Sequence, residues 1–190
     1  AMTMADRIVV LQSGTVQQLT RDFARGAPAA SGPARVQPAP MQFGKAFAIL
    51  RIPRLGADYA RPVLEGTSRD ILMDGVGHYT GTALPGAVGN FAIAGHRTTY
   101  GAPFRHIDHL RRGDRITVAM QYGTFRYMVE GTRIVDPADL RVFRTVGHAH
   151  LVLSACHPLY SAARRIVVYA GQVGVGQPAR ALKRGVRAAR

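Results

Sequence analysis

The chain has 190 residues, 47% of them hydrophobic, which suits one domain with extensions and an apolar core of ordinary size, with no need for a second core. Its formal charge of +14 would suggest a nucleic-acid partner, but no acidic residue follows Asp139, and Arg180, Lys183, Arg184, Arg187 and Arg190 crowd the C-terminus. Without tryptophan or any aromatic–basic interleaving, this pattern argues against a sequence-specific nucleic-acid reader and fits an anionic surface such as a cell envelope.

Taken in order, residues 4–25 set Ile8, Val9, Leu11, Val16, Leu19 and Phe23 among polar groups at loosely helical spacing, and predict an amphipathic helix. Residues 27–40 are Ala, Pro and Gly with almost no large side chain, which describes a linker. The organisation expected is therefore an N-terminal extension over 1–43, a catalytic domain over 44–176 and a basic tail over 177–190. From Gly44 the chain changes to short strands. Ala46 to Ile52 is apolar and stops at Pro53, PRLGADYARPVLEG loops into a strand at Val63, and Ser68 to Met73 predicts a short helix capped by Ser68.

HYTGTALPGAVGN is a Gly- and Pro-rich loop before a strand over Phe91 to Ala94, which delivers His96 just beyond a glycine. A helix is expected over Ala102 to Leu110, closed by Arg111, Arg112 and Gly113. Next comes the clearest alternation, with Ile116, Val118, Met120 and Tyr122 on one face, then Phe125, Tyr127 and Val129 after a Gly-Thr turn, which makes a hairpin with one buried side. A brief helical turn spans Asp136 to Phe143. Strands follow over His150 to Ala155 and Ile166 to Ala170, with Cys156 at the mouth of the loop between them. Seven or eight such strands with little helix predict a mainly β fold, a closed barrel.

Cys156 is the only cysteine, so an internal disulfide is excluded and the redox compartment is not legible from pairing. A lone cysteine is ordinarily a small buried hydrophobe. Nucleophilic thiol chemistry needs an imidazole partner and a positive group for the oxyanion, and the sequence offers His96 upstream and Arg164 or Arg165 downstream. Alternation along a strand sends those arginines to opposite faces and does not say which enters a cleft.

Three motifs, NFAIAGHRTTYG around His96, LVLSACHP around Cys156 and SAARRIVVY around Arg165, together resemble the sortases, the cysteine transpeptidases of Gram-positive cell surfaces. The Cys-His-Pro continuation, the nine-residue step from Cys156 to Arg165 and the IAGHR context look most like class E, the housekeeping type of high-GC actinobacteria, over roughly residues 44 to 175. The resemblance implies a sortase-type barrel of about eight strands. It also implies catalysis by Cys156, His96 and Arg165, a substrate-selecting role for Tyr59 and one for Ser154. The family usually carries threonine just before the cysteine, where this chain has Ala155, with Ser154 one place earlier.

The implied reaction cleaves an L-P-x-T-G or L-A-x-T-G sorting signal after Thr through a Cys156 thioester, which an amino group of a cell-wall precursor resolves. The implied partners are surface proteins bearing that signal and a peptidoglycan precursor amine, with no nucleic acid and no cofactor. Sortases are typically held at the outer face of the cell membrane by an N-terminal anchor. No apolar stretch here reaches the length of a bilayer span, and the opening AMTM has the look of a trimmed start, so that anchor is expected upstream. His106 and His109, with Cys156 and His157, offer metal donors, but no metal site is expected, because no second spaced ligand pair exists. Two other readings remain open at this stage: an L,D-transpeptidase-like enzyme, disfavoured because its histidine and cysteine lie close in sequence, and a non-catalytic basic barrel that binds envelope polyanions.

Overall fold

The computed structural model describes residues 41–177. The expected helix over 4–25, the linker over 27–40 and the basic tail beyond Gln177 lie outside the described residues.

Eight strands close into a barrel: β1 (Ala46–Arg51), β2 (Ala60–Glu65), β3 (Val76–His78), β4 (Gly89–Ala94), β5 (Arg115–Met120), β6 (Gly123–Val135), β7 (Ala149–His157) and β8 (Arg164–Gly176). Around the barrel they run β1-β2-β3-β4-β7-β8-β6-β5, and β5 returns to pair with β1. Most neighbours are antiparallel, but β2 with β3 and β4 with β7 are parallel. Parallel pairing requires a crossover, and between β4 and β7 the chain makes the whole β5–β6 hairpin. The fold class expected from the sequence is the one observed.

Alternation explains where the core sits. In β5 the buried positions are Ile116, Val118 and Met120, and across the hairpin Phe125, Tyr127 and Val129 face them from β6. Leu50, Val63, Phe91, Ile93, Leu151, Leu153, Ala155, Ile166 and Val168 complete this interior. Strands β4, β7 and β8 are covered on both faces. Their outward residues Ala92, Ala94, Val152 and Val167 pack with Leu72, Tyr79 and Val142 in a second cluster outside the barrel. That outer layer is built by the one short α-helix, α1 (Arg69–Asp74), and by the segments around Tyr79 and Phe143.

The helical expectations are partly revised. Ser68 occupies the N-cap of α1 in an extended conformation, but its hydroxyl makes no capping bond. Between Ala102 and Leu110 the structure has a 3-10 turn over Ile107–His109 and no α-helix, and Ala102, at φ 41°, is outside the right-handed helical region. The turn expected over Asp136 to Phe143 is a 3-10 turn over Leu140–Phe143, opened by the Asp139 carboxylate accepting from the Arg141 amide.

A buried polar strut ties the parallel β2–β3 pair to the rest. Glu65 Oε2 lies 2.6 Å from His78 Nδ1, both side chains almost fully enclosed, while His78 Nε2 lies 2.9 Å from Thr82 Oγ1. The Thr82 hydroxyl donates to the Tyr79 carbonyl and accepts from the Ala92 amide, so the strut reaches β4. Removing one partner from a buried pair strands the other without solvent. His78→Leu should therefore lower stability in chemical denaturation by about 3–5 kcal/mol, with the double Glu65→Leu/His78→Leu variant losing less than the sum of the single losses. Strict additivity of the two would contradict the strut.

Candidate active site

Strand pairing alone decides which side chains meet. In the parallel ladder of β4 and β7, Ala94 pairs with Ser154, and the Gly95 amide continues it by donating to the Ser154 carbonyl at 3.1 Å. Residues 96 and 156 therefore leave this ladder level with one another, on neighbouring chains that run about 4.8 Å apart. Both share the parity of Ala94 and Ser154, which face outward. In the antiparallel ladder of β7 and β8, Cys156 pairs directly with Arg165, and residues directly opposite project from the same face. Cys156 thus has Arg165 directly opposite it on one side, and on the other the chain that leaves β4 toward His96, on the outer wall of the barrel. The cysteine lies within β7, which runs on to His157, one step earlier than the loop expected from the sequence.

Each member has a distinct setting. Cys156 is a free, partly exposed thiol. Arg165 is buried, and its Nη1 donates to the carbonyls of Ala162 and Arg164 at 2.9 Å each, whereas its Nε has no hydrogen-bond partner. Arg164, opposite His157, is exposed. The register thereby closes the alternative left open in the sequence: of the two arginines, Arg165 is the one on the face of the thiol.

His96 is half-buried, with Nε2 enclosed and unpartnered, and its ring lies 5.1 Å from that of Tyr100. Burial, and then the positive charge of Arg69, hold its imidazole below the ordinary histidine pKa. Arg69 also donates to the Tyr100 hydroxyl at 3.2 Å.

Ala155 points into the barrel core, so any hydroxyl at that position would sit on the far side of the sheet from the thiol. Ser154 shares the outer face with Cys156 but is buried, and its side chain hydrogen-bonds to Tyr79. Tyr79 in turn lies within electrostatic reach of Arg165 and Cys156, and burial pushes its phenol upward. Tyr59 is tied elsewhere: its hydroxyl donates to the Pro103 carbonyl at 2.8 Å, and the Arg61 guanidinium stacks 5.0 Å from its ring. Those contacts attach it to the loop after His96 and not to Cys156.

Sequence reasoning missed Arg97. This buried residue pairs with Asp108 at 2.8 Å and reaches His157 Nδ1 at 3.2 Å, so it links the loop after β4 to the residue beside the thiol. Burial draws the Asp108 carboxyl upward, but the hydrogen bond and charge of Arg97 outweigh it and hold the group below the ordinary range. Arg105 makes a parallel tie to the Tyr160 hydroxyl at 3.1 Å. The sequence signal was the basic residue immediately after His96. Gly95 is also explained: a Cβ there would stand 2.6 Å from the ring of fully buried Phe104, whose amide donates to the His96 carbonyl. The exposed pair His106 and His109, with rings 4.9 Å apart, gains no third metal ligand among the described residues. No helix among the described residues is long and apolar enough to cross a membrane.

Known proteins resemble this chain in sequence and fold. The family pattern described as "Sortase domain" matches residues 50–173. Among curated proteins, sortase D of Bacillus subtilis is 36% identical over 135 residues, covering 68% of this chain and 65% of its own length. Sortase SrtE1 of Streptomyces coelicolor is 35% identical over 153 residues, covering 72% of this chain and 43% of its own, so the chain spans less than two thirds of these relatives. Among solved structures, sortase E of Streptomyces avermitilis superposes with a TM-score of 0.67 at 36% identity, covering 72% of this chain and 93% of that one. Sortase E1 of Streptomyces coelicolor, with a tripeptide in its active site, gives 0.65 at 33% identity, covering 70% and 91%. On the extent of these matches, and with the eight-stranded barrel in agreement, the chain belongs to the sortase family.

Proposed function

We propose that residues 44–176 form a cysteine transpeptidase unit that cleaves a sorting signal of L-A-x-T-G or L-P-x-T-G type between Thr and Gly and joins the new Thr carbonyl to an amino group. The observation that supports this reading is the register, which pairs Cys156 with Arg165 and aligns Ala94, two residues before His96, with Ser154, two residues before Cys156. Cys156 Sγ attacks the threonine carbonyl carbon and a C–S bond forms as the carbonyl oxygen takes the negative charge. Arg165 supports that oxyanion, for which its unpartnered Nε–H is a ready donor, since a buried donor left without a partner costs about 1–3 kcal/mol. The C–N bond then breaks, and protonated His96 supplies the proton that the departing glycine amine needs.

The thioester is resolved in the reverse sense. An incoming amine loses its proton to neutral His96, attacks the same carbonyl carbon and expels the Cys156 thiolate. Relatives named sortase E and the IAGHR and Cys-His-Pro contexts favour the class E type, hence L-A-x-T-G. On the same analogy, surface proteins are the donors and a peptidoglycan precursor supplies the amine. The unit then works at the outer face of the cell membrane on an N-terminal anchor, with 1–43 and 177–190 as extensions. Tyr59, bound to Pro103, acts by fixing the loop after His96, and Ser154 acts through Tyr79 as a positioning residue.

Variants of the two arginines test the assignment in single-turnover acylation with a labelled L-A-x-T-G peptide, with Cys156→Ala as the inactive control. Arg165→Ala and Arg165→Lys should both slow acylation by about a hundred- to a thousand-fold, because a lysine point charge does not reproduce a forked guanidinium. Arg164→Ala should stay within a few-fold of the parent, and a crippled Arg164→Ala beside an active Arg165→Ala would overturn the role of Arg165.

The pH profile tests His96. At ordinary values of about 8.5 for a thiol and about 6.5 for an imidazole, roughly one pair in a hundred is thiolate–imidazolium, and lowering the histidine pKa reduces that share. Arg69→Met removes one of the two causes of the lowering, so the imidazolium persists to higher pH. The acid limb of the acylation profile should move upward in pH, whereas Arg69→Lys, which keeps the charge, should leave it in place. An unmoved limb in Arg69→Met would contradict this.

A further inference from the structure

Glu130, His148 and His150 bring one ligand atom each to within 4.8 Å of one another, at the end of β7 remote from Cys156. They arrive from separate parts of the chain. His148 and His150 stand two apart, at and just before the start of β7, and so share a face, with rings 5.3 Å apart. Glu130 comes from β6, which β8 separates from β7. It is the extra residue of a bulge: Val129 pairs with Ala170 and Gly131 with Tyr169, so no β8 residue stands opposite it.

From that bulge the carboxylate crosses β8 over Gly171, the residue paired with His150. A Cβ on Gly171 would lie 2.3 Å from Glu130 Oε1. The other oxygen, Oε2, reaches His150 Nε2 at 2.9 Å. His150 is buried and its ring stacks on Tyr169, while its Nδ1 has no hydrogen-bond partner, so the ring's polar contact is made in the direction of Glu130.

We propose that Glu130, His148 and His150 bind one divalent transition-metal ion of the zinc class. Zinc takes imidazole nitrogen and carboxylate oxygen at about 2.0–2.2 Å, so tetrahedral ligand atoms stand about 3.3 Å apart. His150 Nε2 and Glu130 Oε2, at 2.9 Å, need open by only about 0.4 Å to reach that spacing, and exposed His148 closes the remainder by rotating its ring. Two histidines and one carboxylate make three protein ligands, which leaves the fourth position to water. Hard oxygen-seeking ions such as calcium are disfavoured by the two imidazoles. On binding, Nε2 gives up its hydrogen bond to Glu130 and the neutral ring carries its proton on Nδ1. Cys156 lies six residues along β7, about 20 Å away, so the ion would brace β6 to β7 across β8 and take no part in thiol chemistry.

Titration calorimetry with zinc chloride alone on the full chain tests the site. One ion per chain is expected. His148→Ala should weaken binding by at least the roughly ten- to hundred-fold that loss of even an outer partner of a metal site costs. Gly171→Ala, which removes no ligand but displaces the Glu130 carboxylate, should weaken it as well, while His106→Ala and Cys156→Ala should bind like the parent. Absence of stoichiometric binding, binding that survives both His148→Ala and Gly171→Ala, or binding lost with His106 or Cys156, would each overturn the proposal.

Discussion

The structure depends on the register of three neighbouring strands. Pairing of Cys156 with Arg165 in one ladder sets a thiol and a guanidinium abreast, and pairing of Ala94 with Ser154 in the next brings the chain leading to His96 alongside, although sixty residues separate His96 from Cys156 in the sequence. A slip of one residue in either ladder would send one of them into the apolar interior occupied by Leu153, Ala155 and Ile166. The register is strongly specified because these strands are buried on both faces, where most slips would expose or bury the wrong set. The barrel and the outer layer containing Leu72, Tyr79 and Val142 thus cooperate in fixing the site.

Beyond the ends of the strands, polar ties take over from the ladders. Arg97 joins Asp108 to His157 and Arg105 joins its own loop to Tyr160, so two ties lace the segment after His96 to the rim around Cys156, while Tyr59 holds Pro103 from the loop before β2. Gly95 permits Phe104 to pack directly beneath the backbone that presents His96. The cost of this enclosure is electrostatic. Arg165, opposite the thiol, suits a developing oxyanion, yet burial and Arg69 disfavour the imidazolium that the proposed chemistry uses.

How much of this was legible in the sequence varies with the kind of signal. The β5–β6 hairpin was plain because its outer face is solvated and its residues alternate. Strand β3 was not, since Val76–His78 is too short to show a period and is recognisable only by its partners. The strand containing Arg165 was read as ending at Ala170, but it runs to Gly176: QVGVG is weak by propensity and is held by its ladder with β6. Alternation alone leaves Arg164 and Arg165 open, the resemblance selects Arg165, and the ladder with β7 pairs Arg165 with Cys156. For Tyr59 the resemblance implies a substrate-selecting role, and what the sequence does not show is that its hydroxyl donates to the Pro103 carbonyl. Arg97 and the group of Glu130, His148 and His150 escaped notice because their partners lie on other elements.

The account turns on Cys156 becoming the acyl carrier, and mass spectrometry of the intact protein addresses that directly. L-A-x-T-G and L-P-x-T-G peptides offered together, without an amine acceptor and quenched in acid, should leave a mass increase equal to the peptide truncated after threonine. Proteolytic mapping should place it on Cys156, with the L-A-x-T-G product in excess. An adduct on any other residue, or peptide cleavage with the thiol never modified, would contradict the thioester route.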